Sequence, residues 1–118
     1  MSFTKRLKTL RFLVLAALLA GLGSQASADT RFARVYGHST DNWPICLSAG
    51  DTTAVLVVGD GDTDLDVYVY DDNGYLIDSD TDASDRCFVS WTPLRAGCFM
   101  VKVVNRGRVY NAYRLTVE

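Results

Sequence analysis

Turn-forming residues divide residues 29–118 into short runs, and this spacing limits the possible folds more than any other feature. Segments rich in Gly, Asp, Asn or Pro recur at intervals of about eight to twelve residues. None of the runs between them shows the periodicity of an amphipathic helix. The pattern therefore predicts an all-β fold, an antiparallel β-sandwich or jelly roll of about eight strands. The predicted strands are Arg31–Tyr36, Trp43–Ser48, Thr53–Val58, Asp64–Asp71, Tyr75–Ser79, Arg86–Trp91, Cys98–Asn105 and Tyr110–Val117.

Residues 1–28 have the pattern of a bacterial signal peptide. Cations between Lys5 and Arg11 precede an apolar run over Phe12–Leu22, and Ala26-Ser27-Ala28 has the small-x-small form that signal peptidase recognises. The alternative, a retained membrane anchor, is less favoured because a spanning helix needs about 20 apolar residues. We expect cleavage after Ala28, a single domain over residues 29–118, a secreted or periplasmic location, and no membrane insertion after cleavage.

Strand alternation favours one disulfide among the three cysteines. Export makes disulfides chemically possible. Neighbouring side chains of a strand point to opposite faces, so Cys46 and Cys98 are expected on the outside, while Cys87 shares the inward phase of Val89 and Trp91. This favours a Cys46–Cys98 disulfide and leaves Cys87 as a buried thiol. Metal binding by cysteine is the weaker alternative, because no C-x-x-C pair is present.

Charge is distributed in blocks along the predicted mature chain. The full sequence has 12 Lys+Arg and 14 Asp+Glu; residues 1–28 hold four of those cations and no acid, so residues 29–118 carry eight cations and 14 acids, a net charge of −6. That balance argues against nucleic-acid binding. Eleven Asp lie between Asp51 and Asp85, whereas residues 86–117 contain six cations and no acid. The ordinary interpretation is that the two blocks fold against each other and neutralise one another.

The most acidic segment predicts a hairpin that could hold calcium. Asp72-Asn73-Gly74 suits a three-residue loop, and the resulting register pairs Val69 with Ile77 on the core face. On the outer face it pairs Tyr68 with Asp78, Asp66 with Asp80, and Asp64 with Asp82. Opposed carboxylates destabilise a sheet unless they are compensated, and Ca²⁺ prefers oxygen ligands. The predicted calcium ligands are Asp62, Asp64, Asp66, Asp80 and Asp82; the alternative is a solvated acidic surface.

The same segment carries a family resemblance. Residues 59–71, with the sequence GDGDTDLDVYVYD, are followed by Asn73-Gly74 and resemble the central signature of bacterial pre-peptidase C-terminal domains. The likeness continues through Gly97–Val103 and Tyr110–Leu115. It implies a secreted β-sandwich, usually fused behind a peptidase, and related domains bind calcium or extracellular polymers such as collagen. In this sequence no peptidase precedes the domain, so we expect a stand-alone module.

Catalysis is not expected from this sequence. His38 is its single imidazole and lacks the context of a nucleophile elbow, and a solvated row of aspartates is a poor setting for a general acid. Tyr68 and Tyr70 share the outer face with the acids and are candidate binding residues, although such aromatics are usually cross-strand packing. The sequence thus predicts a non-catalytic module that binds an extracellular polymer or protein, with calcium as a candidate stabilising ion. The alternative is a structural or chaperone-like partner of a separate secreted peptidase.

Overall fold

Eight antiparallel strands and the turns between them account for the computed structural model, which describes residues 28–118. Each predicted strand is present within a few residues of its expected bounds. The predicted signal peptide lies, apart from Ala28, outside the described residues. The strands are β1 Asp29–Val35, β2 Thr40–Leu47, β3 Thr53–Val58, β4 Leu65–Tyr70, β5 Leu76–Asp80, β6 Arg86–Trp91, β7 Gly97–Asn105 and β8 Asn111–Val117.

The strands form two four-stranded sheets packed face to face. The first sheet has the order β1-β8-β3-β6, and the second has the order β2-β7-β4-β5. Every pairing within them is antiparallel. The predicted β-sandwich is therefore confirmed. Between Ala28 and Glu118 no helix is long and apolar enough to cross a membrane.

The core lies between the two sheets and is built from alternate residues of the inner strands. Leu65, Val67 and Val69 of β4 are buried, as the period-two pattern predicts. Full burial of each such side chain stabilises the fold by about 1.5–3 kcal/mol. The remaining buried apolar residues are Val35, Val55, Val57, Cys87, Val89, Trp91, Phe99, Val101, Val103, Tyr113 and Leu115.

The cysteines take the predicted arrangement. Cys46 of β2 lies directly opposite Cys98 of β7, and the two form a disulfide. Cys87 is a free, buried thiol whose Sγ contacts the Leu65 carbonyl oxygen at 3.1 Å. Burial, with a smaller contribution from nearby aspartates, raises the pKa of Cys87 to about 12. The group is therefore protonated at neutral pH and is a structural thiol.

Two buried asparagines hold together the loops at one end of the sandwich. Asn105 Nδ2 donates to the carbonyl oxygens of Val35 and Val109 at 3.0 and 2.8 Å, and Asn105 Oδ1 accepts the Gly107 N–H at 2.9 Å. Asn111 Nδ2 donates to Asp85 Oδ2 at 3.1 Å. Buried backbone groups need such partners where a loop leaves the sheet. The loops at this end connect β1 to β2, β3 to β4, β5 to β6 and β7 to β8.

Candidate binding face and acidic loops

The β4–β5 hairpin has the predicted turn and a different strand register. Gly74 has a φ of 84° and donates its N–H to the Asp71 carbonyl oxygen at 3.0 Å, as a turn with a left-handed Gly requires. Tyr70 pairs with Leu76, but Val69 pairs with Asp78, because Ile77 is an extra residue at a β-bulge. The predicted pairing of Val69 with Ile77 is therefore wrong, and Ile77 is 41% exposed.

This bulge turns the carboxylates of β5 toward the edge of the other sheet. Val67 pairs with Asp80, so the expected Asp66–Asp80 pair on the outer face does not form. Asp78 Oδ2 accepts the Ser90 N–H at 3.0 Å, and Asp80 Oδ2 accepts the Phe88 N–H at 2.9 Å. Both donors lie on β6, the edge strand of the first sheet. The two aspartates thus bind the edge amides, which explains energetically why the bulged register is preferred.

Asp64 and Asp66 are the two predicted calcium ligands with free buried oxygens. Asp66 is 3% exposed; its Oδ2 accepts from Arg106 Nε at 2.8 Å, and its Oδ1 has no hydrogen-bond partner. Asp64 Oδ1 is likewise buried without a partner. Burial, together with the charge of Asp66, raises the pKa of Asp64. Arg106 thus compensates the Oδ2 atom of Asp66, whereas the Oδ1 atoms of Asp64 and Asp66 have no hydrogen-bond partner.

The other three predicted ligands are placed differently. Asp80 is on β5 with one oxygen bound to the β6 edge, and Asp82 Oδ1 accepts from Ser84 Oγ at 3.0 Å. Asp62 is exposed in the β3–β4 loop, where its N–H donates to Asp60 Oδ1. In the chain from residue 28 onward, no three His, Cys, Asp or Glu side chains lie close enough together to hold a metal ion. The calcium site stays a prediction. Of its five ligands, Asp64 and Asp66 are the two with a buried carboxylate oxygen that lacks a hydrogen-bond partner.

Tyr68 and Tyr70 lie on the outer face of the second sheet, as predicted. Their rings are stacked, with centroids 6.3 Å apart and an interplanar angle of 21°. Side chains from three neighbouring strands flank them in two cross-strand rows. We call this surface the tyrosine face; its rows are Asn42–Lys102–Tyr68–Ser79 and Pro44–Met100–Tyr70–Leu76.

A single ion pair connects the acidic and basic blocks among residues 28–118. It joins Arg106 to Asp66, and the remaining ion pair, Arg31 with Asp29, is local to β1. The two blocks do fold against each other, since β8 pairs with β3 and β7 pairs with β4, but direct ion pairing between them in the described residues is limited to this contact. Sequence reasoning missed Arg106 as a partner of Asp66. The signal that marks it is the loop position of Arg106 directly after the β7 strand that pairs with β4.

Comparison with known proteins shows the fold. No family model matches this sequence, and no curated protein matches it. Among solved structures, the pre-peptidase C-terminal domain of a collagenase from Bacillus anthracis superposes with a TM-score of 0.66 at 11% identity, over 76% of this chain and 88% of that one. PliG from Aeromonas hydrophila, a periplasmic inhibitor of g-type lysozyme, gives a TM-score of 0.63 at 15% identity, over 86% of this chain and 91% of that one. The resemblance expected from the GDGDTDLDVYVYD segment is confirmed as a likeness of fold.

Proposed function

We propose that the protein is a non-catalytic binding module, exported to the periplasm or the medium, that holds an extracellular polymer or protein on the tyrosine face. The observation that carries this proposal is the stacked pair Tyr68 and Tyr70 on the outside of a rigid sheet. Tyrosine rings offer an apolar surface and a hydroxyl at little conformational cost, so they are frequent anchors in binding sites. Their position on strands rather than loops fixes the geometry before a ligand arrives.

The surroundings of the two rings suit a target with both apolar and polar groups. Met100 and Leu76 extend the apolar surface beside Tyr70, and Leu76 is 53% exposed. Lys102 lies beside Tyr68 in the sheet and donates from Nζ to Asn42 Oδ1 at 3.0 Å, on the side away from Tyr68. An apolar strip with one oriented cation fits a polymer chain or an exposed protein segment.

Export is supported by the disulfide and by the comparisons. The Cys46–Cys98 bond belongs to a class that persists in oxidising compartments. One of the similar structures is named a periplasmic protein and the other is a domain of a collagenase. Because both likenesses are of fold, they do not name a target, and a binding experiment has to identify it.

A pull-down with insoluble collagen, chitin and cellulose, run beside immobilised g-type lysozyme, tests the proposal. Residues 29–118 are expected to be retained on at least one of these, and the double variant Tyr68→Ala/Tyr70→Ala is expected to be lost from it. Tyr75→Ala is the matched control, since Tyr75 is 70% exposed in the hairpin loop outside the tyrosine face. Equal retention of the double variant and the wild type would refute the assignment of the tyrosine face.

The alternative role, as a partner of a separate secreted peptidase, predicts a different result. In that case the exported protein co-purifies with a peptidase from its own host and binds none of the polymers. The variant Tyr68→Ala/Tyr70→Ala separates the two roles. If a peptidase binds at another surface, the variant still co-purifies with it.

We also propose that Asp64 and Asp66 bind Ca²⁺. The observation that favours this site is that each has a buried carboxylate oxygen without a hydrogen-bond partner. Both Oδ1 atoms are ligands of the type that Ca²⁺ prefers, and backbone carbonyls and water would complete the six to eight positions. A bound cation would offset the burial and the charge of Asp66, which together raise the pKa of Asp64. Asp66 would keep its bond to Arg106 through the other oxygen.

Thermal melting with millimolar Ca²⁺ and with EDTA checks this calcium proposal. At a calcium concentration of a hundred times Kd, stabilisation of about 2.7 kcal/mol is expected. Asp64→Asn is expected to abolish the calcium effect and to raise stability slightly in EDTA, because it removes an unfavourable buried charge. Asp72→Asn, in the hairpin loop at the other end of β4, is the control. Superimposable wild-type melts in both buffers would contradict calcium binding.

A further inference from the structure

The outer face of the first sheet carries aromatic and basic side chains that the tyrosine face does not involve. The β-registers place these side chains in cross-strand rows. Phe32 is 78% exposed on β1, and Phe88 is 56% exposed on β6, at the opposite edge of the sheet. The rows are Thr30–Thr116–Leu56–Phe88 and Phe32–Arg114–Val58–Arg86, followed by Arg34–Ala112.

This face is positively charged although the chain as a whole is acidic. Its outward strand positions hold three arginines, Arg34, Arg86 and Arg114, and no Asp or Glu. Throughout residues 28–118 none of the three takes part in an ion pair. Charges farther away than the Debye length of about 8 Å are screened at physiological salt. Among the described residues that line a groove on this face, Arg34 and Arg114 outnumber the one carboxylate, that of Asp60.

A groove of about 520 Å³ opens on this face where β1, β8 and β3 lie side by side. The small side chain of Ala112 leaves space between Arg34, its direct neighbour on β1, and Arg114, two residues along β8. Phe32 forms the adjoining wall. Arg34 and Arg114 are diagonal neighbours across the strand pair, with Cα atoms about 7–8 Å apart. Both side chains line the groove.

Two sets of contacts restrain charged side chains around the groove, those of Arg34 and those of Asp60. The guanidinium of Arg34 lies 4.9 Å from the centre of the Tyr110 ring, a cation–π contact that restricts its rotamers. Tyr110 precedes Ala112 and Arg114 follows it, so this contact lies on the side of Arg34 away from Arg114. Asp60 is the acid in the groove wall, and both of its oxygens accept backbone N–H groups: Oδ1 from Asp62 and Oδ2 from Ala112. Asp60 keeps its negative charge, so the groove is lined by two arginines and one carboxylate.

We propose that this groove binds an acidic polysaccharide, with a sugar ring against Phe32 and carboxylates of the polymer at Arg34 and at Arg114. Guanidinium groups bind carboxylates through paired, charge-assisted hydrogen bonds. A polymer that carries a carboxylate on each sugar complements this face, where three arginines without an ion-pair partner in residues 28–118 lie near the exposed ring of Phe32.

Titration of residues 29–118 with trigalacturonate, followed by amide chemical-shift changes, tests the proposal, with the neutral maltotriose as the comparison. Shifts are expected at β1, β8 and the end of β3, and the affinity is expected to fall as salt rises. Arg34→Gln/Arg114→Gln is expected to weaken binding about tenfold or more. Phe32→Ala is expected to weaken binding to a smaller extent. Arg95→Gln, which removes a charge from the exposed loop at the other end of the sandwich, is expected to have no effect.

Each other outcome overturns the assignment in a recognisable way. An equal loss of affinity in Arg95→Gln would show non-specific attraction to net charge. Binding to vesicles containing phosphatidylglycerol, with no binding of trigalacturonate, would identify a membrane surface as the target. Equal binding of maltotriose would exclude a role for the carboxylate. Because Tyr68→Ala/Tyr70→Ala leaves this groove intact, failure of one face is distinguishable from failure of the other.

Discussion

Asn105 is a single buried amide that satisfies three backbone groups where β7 leaves the sheet. It is 1% exposed, and its side chain bonds to Val35, Gly107 and Val109. Asn105→Ala would leave these groups without partners, so we expect a loss of about 2 to 4 kcal/mol in the free energy of unfolding. Urea denaturation measures this. Asn42→Ala, which removes one exposed hydrogen bond to Lys102, is the control and should change stability little.

Because of Cys87, the free energy of unfolding is expected to decrease at alkaline pH. Its pKa is about 12 in the folded state, against an ordinary value of 9.0. Since the folded state then binds the proton more tightly, the contribution of Cys87 is complete below pH 9 and is lost as the pH rises toward 12. Cys87→Ala should therefore lose less stability than the wild type between pH 8 and pH 11.

Urea melts at several pH values compare the two proteins. Tyr113, whose pKa is raised by burial and by its hydrogen bond to Asp41, titrates in both and cancels in the comparison. Parallel stability curves for wild type and Cys87→Ala would show that the thiol has no part in the pH dependence.

At the scale of the element, the bulge in β5 protects the edge of the first sheet. Asp78 and Asp80 occupy amide groups of β6 that would otherwise be open to another strand. We expect Asp78→Ala/Asp80→Ala to associate at concentrations where the wild type is monodisperse, as measured by light scattering. Ser79→Ala, on the opposite face of the same strand, should behave like the wild type. Identical scattering from all three proteins would exclude this role for the carboxylates.

The strands and the inward residues were predictable because they depend on local patterns. Alternation placed Leu65, Val67 and Val69 inside, and the same parity selected Cys46 and Cys98 as partners. Turn chemistry identified the loop 72–74 correctly. It carries no information about an extra residue three positions later, because the hydrogen bonds that favour the bulge come from β6, in the other sheet.

A candidate site was predictable from the sequence when its residues lie close together on one strand, and less so when it needs several strands to meet. Tyr68 and Tyr70 share a face because they are two residues apart on one strand. The set of calcium ligands relied on the β5 register, and the bulge moved Asp80 away from Asp66. The groove beside Phe32 needs β1, β8 and β3 to be neighbours, an order that a list of strands does not reveal.

At the scale of the whole molecule, the first strand of the described residues begins directly after the predicted cleavage point. β1 begins at Asp29, which pairs with Val117 at the other end of the chain. Cleavage after Ala28 would leave every strand complete. Intact-mass measurement of the exported protein is therefore expected to give residues 29–118, and this species should unfold cooperatively. An exported chain that retains residues 1–28 would contradict the predicted signal peptide.

The carboxylates at the β6 edge have a further consequence for exchange of backbone hydrogens with solvent. An edge strand normally has every second amide open to water, so these amides exchange quickly. In β6 the N–H groups of Phe88 and Ser90 are held by side chains of β5, while the strand pairs with β3 on its other side. Slow exchange along the whole of β6 is therefore expected, so that an outermost strand would exchange like an interior one. Its second neighbour would be a row of aspartate side chains in place of a backbone.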